Sequence, residues 1–351
     1  MALHADRRAA AMLPPGLLLS QEQVWRKPSP MTPLVVADVG GTHARFAIAE
    51  VADGRVVSLG EPVTLKAAEH ASFQLAWAAF ADRHGSPLPR RAAIAVACPV
   101  DGELLKLTNS PWVIRPALID EALSLDHHLL LNDFEAVAHA VTSVPTDQLI
   151  PLTGPTDWSN AGVTTVVGPG TGLGVAQLVR DEVATRVIAT EGGHIDWAPL
   201  DSPEDAILAQ LRERFGRVSV ERVACGPGLG NLYEALARIE HRAVARPDER
   251  TLWAAALDGS DKLAVAAFDR FCLILGAVSG DLALAHGANA VVLAGGLGAR
   301  IAERLPRSGF ADRFVAKGRF EARMRAIPVR IIIHPEPGLL GAAAAYAGVH
   351  P

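Results

Sequence analysis

The sequence predicts an α/β protein of two domains, and three observations carry that prediction. Strand-like apolar runs alternate with helical patterns along most of the chain. A length of 351 residues is enough for two hydrophobic cores. A strand, a glycine turn and a second strand occur in that order twice, at 34–51 and again from residue 162.

The elements follow in order. L-V-V-A-D-V-G-G-T-H-A-R-F-A-I-A reads as two strands joined at Gly40-Gly41, and R-V-V-S-L-G as a third. An Ala-rich helical pattern covers about 70–84 and stops at a Gly-Ser-Pro-Leu-Pro loop; R-A-A-I-A-V-A-C-P is then a buried strand bounded by Pro99. A helix near 116–124 leads into the strand H-H-L-L-L-N-D-F, whose polar Asn132-Asp133 step opens the helix E-A-V-A-H-A-V. A Pro/Thr/Gly/Asp loop at 145–162 marks the domain boundary, and G-V-T-T-V-V-G-P-G-T-G-L-G-V-A-Q-L-V repeats the opening device. Helical patterns follow at about 203–215, 228–241 and 260–286, the last carrying Asp269, Arg270 and Asp281, which argue against a membrane span. A-V-V-L-A-G-G-L-G is a strand entering a third glycine turn, P-V-R-I-I-I-H is the final strand, and an Ala-rich helix runs from about 338.

Composition narrows the function classes. Half the residues are hydrophobic, a fifth are charged, and the net charge is −5, which fits neither disorder nor a nucleic-acid partner; a small anion held by local backbone groups stays open. Cys98, Cys225 and Cys272 form no C-x-x-C pair and no Cys/His pair, so we expect buried thiols in a reducing cytoplasm, without disulfides or structural zinc. Residues 1–32 precede the first strand. Arg7 and Arg8 stand before a short apolar stretch, loosely like a secretory leader, but Pro14 and Pro15 split that stretch and no small-x-small cleavage site follows. The expectation is a flexible N-terminal extension, with Met31 as a candidate translation start.

The chemistry lies in the glycine turns and a few polar steps. In D-V-G-G-T-H, backbone N–H groups at Gly40 and Gly41 can converge on an anion and Thr42 adds a hydroxyl. The Asp38 carboxylate would repel phosphate unless a cation stands between them, which is the place of Mg²⁺ in an ATP site. The bland alternative is a plain hairpin with a solvated acid. Gly168-Pro169-Gly170-Thr171-Gly172-Leu173-Gly174 is neither a Walker A loop, lacking Gly-Lys-Ser/Thr, nor a dinucleotide fingerprint, since a strand follows. Two such hairpins facing each other across a cleft would hold a triphosphate between them. Gly295-Gly296 ends a buried strand where an adenosine could pass close by, or where tight packing requires glycine. Asp133 is our candidate general base, with helix N-capping as its alternative role. Glu191 and His194 flank two glycines, a spacing that lets a polar ligand approach the backbone.

In this order, D-V-G-G-T, G-x-G-T-G-L-G and L-A-G-G resemble the ATP-binding signature of the sugar kinase, Hsp70 and actin superfamily. L-L-N-D-F-E-A-V-A, T-E-G-G-H-I-D-W-A-P, V-S-V-E-R-V-A-C-G-P-G-L-G-N-L-Y and P-G-L-L-G-A resemble the bacterial, hexokinase-like glucokinase family, over about Pro33 to Tyr346. The resemblance implies two ribonuclease H-like (actin-like ATPase) domains flanking an active-site cleft, the small one at 33–144 plus 335–351 and the large one at 145–334. It also implies ATP-dependent phosphorylation of D-glucose to glucose 6-phosphate, feeding glycolysis, in a cytoplasmic homodimer without nucleic-acid or membrane partners. ATP would contact Asp38, Val39, Gly40, Gly41, Thr42, His43, Gly170, Thr171, Gly172, Gly295 and Gly296, with Asp38 toward Mg²⁺. Glucose would contact Asn132, which can donate and accept at one hydroxyl pair, together with Asp133, Glu191, His194 and Glu221. Thr108-Asn109 would line the same pocket. I-D-W-A-P stands where the related ROK group carries zinc-binding cysteines, which disfavours that group and its zinc. The alternatives are a non-catalytic sugar-sensing regulator on the same fold, and a kinase for another hexose or donor.

Overall fold

The structure, a computed structural model, describes residues 30–107, 110–159, 161–181 and 183–350. Residues 1–29 of the expected extension, and Thr108-Asn109, lie outside them.

The chain opens with strands β1 (Thr32–Val39) and β2 (His43–Ala52), paired antiparallel, and both β3 (Arg55–Leu59) and β4 (Val63–Lys66) pair with β2. Helix α1 (Phe73–His84) leads to β5 (Arg91–Val96), parallel to β1. A short ribbon of β6 (Leu105–Lys106) and β7 (Val113–Ile114) and helix α2 (Ile119–Leu123) precede β8 (His127–Asn132), parallel to β5. The first sheet thus runs β3-β2-β1-β5-β8. Helix α3 (Asp133–Ala140) starts where β8 stops.

The second sheet is made of β9 (Leu149–Thr153), β10 (Gly162–Pro169), β11 (Leu173–Arg180) and β12 (Thr185–Thr190), completed by β13 (Ala290–Leu293) and β14 (Val329–Ile332). Between them come α4 (Ser202–Phe215), α5 (Gly226–Ile239), α6 (Glu249–Asp258) and α7 (Lys262–Ala285), then α8 (Gly296–Ile301), α9 (Phe310–Val315) and α10 (Glu321–Arg325). Helix α11 (Pro337–Val349) ends the chain. The order is β12-β11-β10-β13-β14-β9, so three antiparallel strands are again followed by two parallel ones. This is the doubled ribonuclease H-like arrangement that the resemblance implies.

Strand alternation sorts the cores. On β1, Val35, Ala37 and Val39 face α1 and its Phe73, Trp77 and Phe80, while Leu34 and Val36 face α11 and its Leu339, Ala343 and Tyr346. On β10, Val167 joins the large core of α4 to α7, whereas Val166 faces the cluster that contains Ala138 and Val141 from α3 and its C-terminal end. Helix α7 is long and apolar enough to cross a membrane, but Phe268, Phe271, Cys272 and Leu275 sit in that large core, as its buried central helix. All three cysteines are free and buried, the expected thiols; burial pushes Cys225 and Cys272 up to about 12.

Several expectations need correcting. The stretch 145–162 is not all loop: it holds β9, whose Pro151 cannot donate to a ladder and so fits only the sheet edge where β9 lies. Helix α6 adds to the helical patterns read above, the short α8, α9 and α10 hold too few residues to show a period, and Gly296 opens α8 rather than sitting in a free turn.

Helix α3 crosses α11 so closely that a methyl group on Gly341 would run into the Ala136 carbonyl. Gly341→Ala is therefore expected to destabilise the protein by about 1–3 kcal/mol through overpacking. Gly348→Ala on the same helix meets open space and should be neutral or slightly stabilising. Urea midpoints of the two variants check this.

Candidate active site

The β1–β2 turn is closed by the Gly40 N–H, which donates to the His43 carbonyl at 2.9 Å. That register sets Asp38 opposite Arg45, and the guanidinium reaches Asp38 Oδ2 at 3.3 Å and Glu336 Oε2 at 3.5 Å. Asp38 also packs against the first turn of α11, where a Cβ on Gly338 would come within 2.8 Å of Oδ2. A carboxylate beside the positive end of a helix is favoured. Burial nonetheless holds the Asp38 carboxyl above its usual range, against the pull of Arg45, and burial likewise raises Glu336. Val39 brings no side chain to a ligand: it is fully buried, and its carbonyl accepts from Ala97 N–H at 3.0 Å.

Asp133 is the first residue of α3. The capping role falls to Asn132, whose Oδ1 accepts from the N–H groups of Phe134 (2.9 Å) and Glu135 (3.2 Å) in a full capping box with Glu135. Asp133 is thus released from the N-cap role that its position in the sequence left open. Asn132 Nδ2 donates to the Cys98 carbonyl at 3.3 Å, so both lone pairs of Oδ1 are engaged and one amide proton remains. The expected donate-and-accept role toward a sugar reduces to that of a donor. The Asp133 carboxyl is pushed up to about 6, first by burial and then by the charge of Asp38. It still accepts the Phe134 N–H at 2.8 Å.

The second turn closes through Gly170 N–H to the Gly172 carbonyl at 2.8 Å, and the Gly170 carbonyl accepts from Gly226 N–H, at the start of α5, at 2.7 Å. Gly170 and Gly296 look onto open space, so a ligand could approach both backbones, and Thr171 is exposed between Gly170 and Gly172. Gly295 has φ +89° and lies against Pro169, which sets the third glycine turn beside the second. Glu221 Oε2 accepts from Leu173 N–H at 2.9 Å, fixing that acid to the base of the hairpin.

Glu191 and His194 are exposed at either end of a one-turn 3₁₀ helix, their side chains 3.8 Å apart and too far for a hydrogen bond. The two glycines between them are not a ligand approach: added side-chain carbons would strike Val175 at Gly192 and Leu173 at Gly193. Close packing on β11 requires glycine there. This turn meets the Glu221 turn through Val220 N–H to the Ile195 carbonyl at 2.9 Å. Glu191, His194 and Glu221 are thus gathered on the second sheet, and Asp38 with Asp133 on the first.

Arg45, Glu336 and Phe134 belong to the site and escaped the sequence reading. Arg45 was out of reach of that reading, because a two-residue turn at Gly40-Gly41 would set Asp38 opposite His43, and it is the longer turn Gly40–His43 that pairs Asp38 with Arg45. No local signal connects Glu336 to Arg45, since only tertiary packing brings α11 back to β1.

Comparison with known proteins identifies the family. A family model described as Glucokinase matches residues 35–349. A glucokinase of Zymomonas mobilis subsp. mobilis is 62% identical over 315 residues, covering 90% of this chain and 97% of that one. A glucokinase of Cronobacter sakazakii is 38% identical over 311 residues, covering 88% and 95%. The crystal structure of a glucokinase from an Antarctic psychrotroph superposes with a TM-score of 0.80 at 32% identity, covering 90% of this chain and 99% of that one. With likeness on that scale running through both sheets and every turn described above, this chain belongs to the glucokinase family.

Proposed function

We infer that this chain transfers the γ-phosphoryl group of ATP to the 6-hydroxyl of D-glucose, yielding glucose 6-phosphate, with Asp133 as general base. The observation that carries this reading is the Asp133 carboxyl itself. It is raised to about 6 beside Asp38, and its immediate neighbour Phe134 packs on the second glycine hairpin. A base poised near neutrality is ionised at working pH yet basic enough to take a hydroxyl proton.

In this reading Asp133 accepts the proton of the attacking hydroxyl as it meets the γ-phosphorus in line. Asn132 donates its remaining amide proton to a sugar oxygen, and Glu191, His194 and Glu221 hydrogen-bond further hydroxyls. Such a site rejects analogues lacking one, because its polar groups would be left unpaired. The backbone N–H groups of Gly41, Thr42, Thr171 and Gly172 and the two threonine hydroxyls cradle the phosphates, while Gly40 and Gly170 use their own N–H groups to close the two turns, and His43, Gly295 and Gly296 lie along the same nucleotide. Asp38 suits Mg²⁺: it is a single carboxylate, one-fifth exposed and held in place by Arg45, and this ion takes one or two carboxylates and fills its other positions with water and phosphate oxygens. Bound there, Mg²⁺ would neutralise triphosphate charge. The small domain at 33–144 plus 335–351 and the large domain at 145–334 close on glucose and exclude water. The separate cores around α1 and around α4 to α7 support this division, while α3 shares a third core with the second sheet. A cytoplasmic homodimer is the setting we propose.

Purified protein with MgATP and glucose is expected to form glucose 6-phosphate rapidly in a coupled assay, and product with mannose or fructose alone would reassign the acceptor. Asp133→Asn should lower turnover by about two to four decades while sugar binding survives. In the wild type, kcat/KM for glucose should fall tenfold per unit below about pH 6, where the protonated carboxyl can no longer accept. Because that carboxyl is raised in the folded state, stability falls as the pH rises from the usual aspartate range up to about 6, and the full cost of ionising it is in place above that. Asp133→Asn should therefore have a higher Tm than wild type at pH 7.5, a gain that shrinks as the pH falls toward 4. Glu191→Gln and His194→Ala should raise KM for glucose much more than KM for ATP; equal effects would count against direct sugar contact.

A further inference from the structure

Gly168 and Gly174 are direct cross-strand partners on the β10–β11 ladder, a spot bare of side chains one pair from the hairpin turn. Glycine weakens a strand, so two facing each other call for something that needs the space. That something is the ring of Phe134: a methyl group on either glycine would run into it. The outer glycines of Gly168-Pro169-Gly170-Thr171-Gly172-Leu173-Gly174 therefore seat an aromatic ring, while Gly170, two residues beyond Gly168, stays open at the turn. The Phe134 N–H is in turn held by Asn132 Oδ1 and Asp133 Oδ1. Behind the ring, the Ala136 carbonyl of α3 abuts Gly341 of α11, so the helix has little room to retreat toward the first sheet.

We propose that Phe134 is a positioning residue that keeps the Asp133 carboxylate in register with the triphosphate turn of the second sheet. The proposal rests on the reading of Asp133 as general base and goes beyond it. The chain is short: the turn at Gly170–Gly172, the seat at Gly168 and Gly174, the ring, and the backbone that carries Asp133. A displacement of the ring moves the base relative to the phosphates without touching either substrate, and misplacement by about 1 Å costs on the order of a hundredfold in rate.

The test compares wild type with Phe134→Leu, which leaves the seat half empty, and Gly174→Ala, which pushes the ring out. Each should lower kcat roughly 10- to 100-fold, with KM for glucose and for MgATP within about threefold of wild type and a cooperative thermal transition retained. The double variant Phe134→Leu/Gly174→Ala, in which the added methyl fills the space the smaller side chain leaves, should recover part of the lost kcat. Where the leucine variant lacks a cooperative transition, Phe134→Met, close in volume but not flat, is read in the same way. Unchanged kcat in these variants, beside an active wild type, would overturn the proposal. So would a fall in activity that merely follows the loss of folded protein or the rise of both KM values. A wild type that phosphorylates no hexose would instead remove the catalytic reading beneath it, and the two failures are told apart by that control.

Discussion

Helix α3 is held between the two halves of the molecule by three contacts that tolerate no side chain. Its Ala136 carbonyl meets α11 at Gly341, and its Phe134 ring meets the second sheet at Gly168 and Gly174. Close-packed interiors lack space to absorb even a methyl group at such points. The helix cannot shift without disturbing both neighbours, and its first residue is Asp133. The position of the proposed base is therefore a consequence of packing on both sheets at once.

The electrostatics of the site follow from the same crowding. Asp38, Asp133 and Glu336 come together with one cation, Arg45, which pairs with the first and the last of them. Burial raises all three carboxyls, and the charge of Asp38 raises Asp133 further. An excess of half-buried acid over base is unfavourable for a fold on its own. It suits the proposed reaction, in which a divalent cation would offset the acids and one carboxylate is basic near neutrality.

The glycine motifs divide between cradle and scaffold in a way their spelling hides. Gly170 and Gly296 face open space, as a phosphate or nucleoside site needs. Gly168, Gly174, Gly192, Gly193 and Gly341 lie against other parts of the protein, and Gly295 adopts a positive φ against Pro169. The pair Gly192-Gly193, read from sequence as room for a polar ligand, is room for β11. Sequence spacing marks where a side chain is absent, but the neighbour that takes its place comes from a distant segment.

Local pattern was enough to read the doubled strand-turn-strand device, the central strands, the long helices and the residues of the two hairpin turns. Those features depend on side-chain period and on turn chemistry within a few residues. Asp38 and Asp133 stood out for the same reason, each a carboxylate at the end of an apolar strand. The edge strand β9 stayed hidden because Pro151 breaks its pattern, and α8 to α10 because they are too short to show a period. Only the tertiary structure decided that Asn132 rather than Asp133 caps α3, that Glu336 shares Arg45 with Asp38, and that Phe134 rests on paired glycines. The last two of these join segments far apart in the chain, and such contacts arise from how sheets and helices pack, which periodicity along a single segment does not encode.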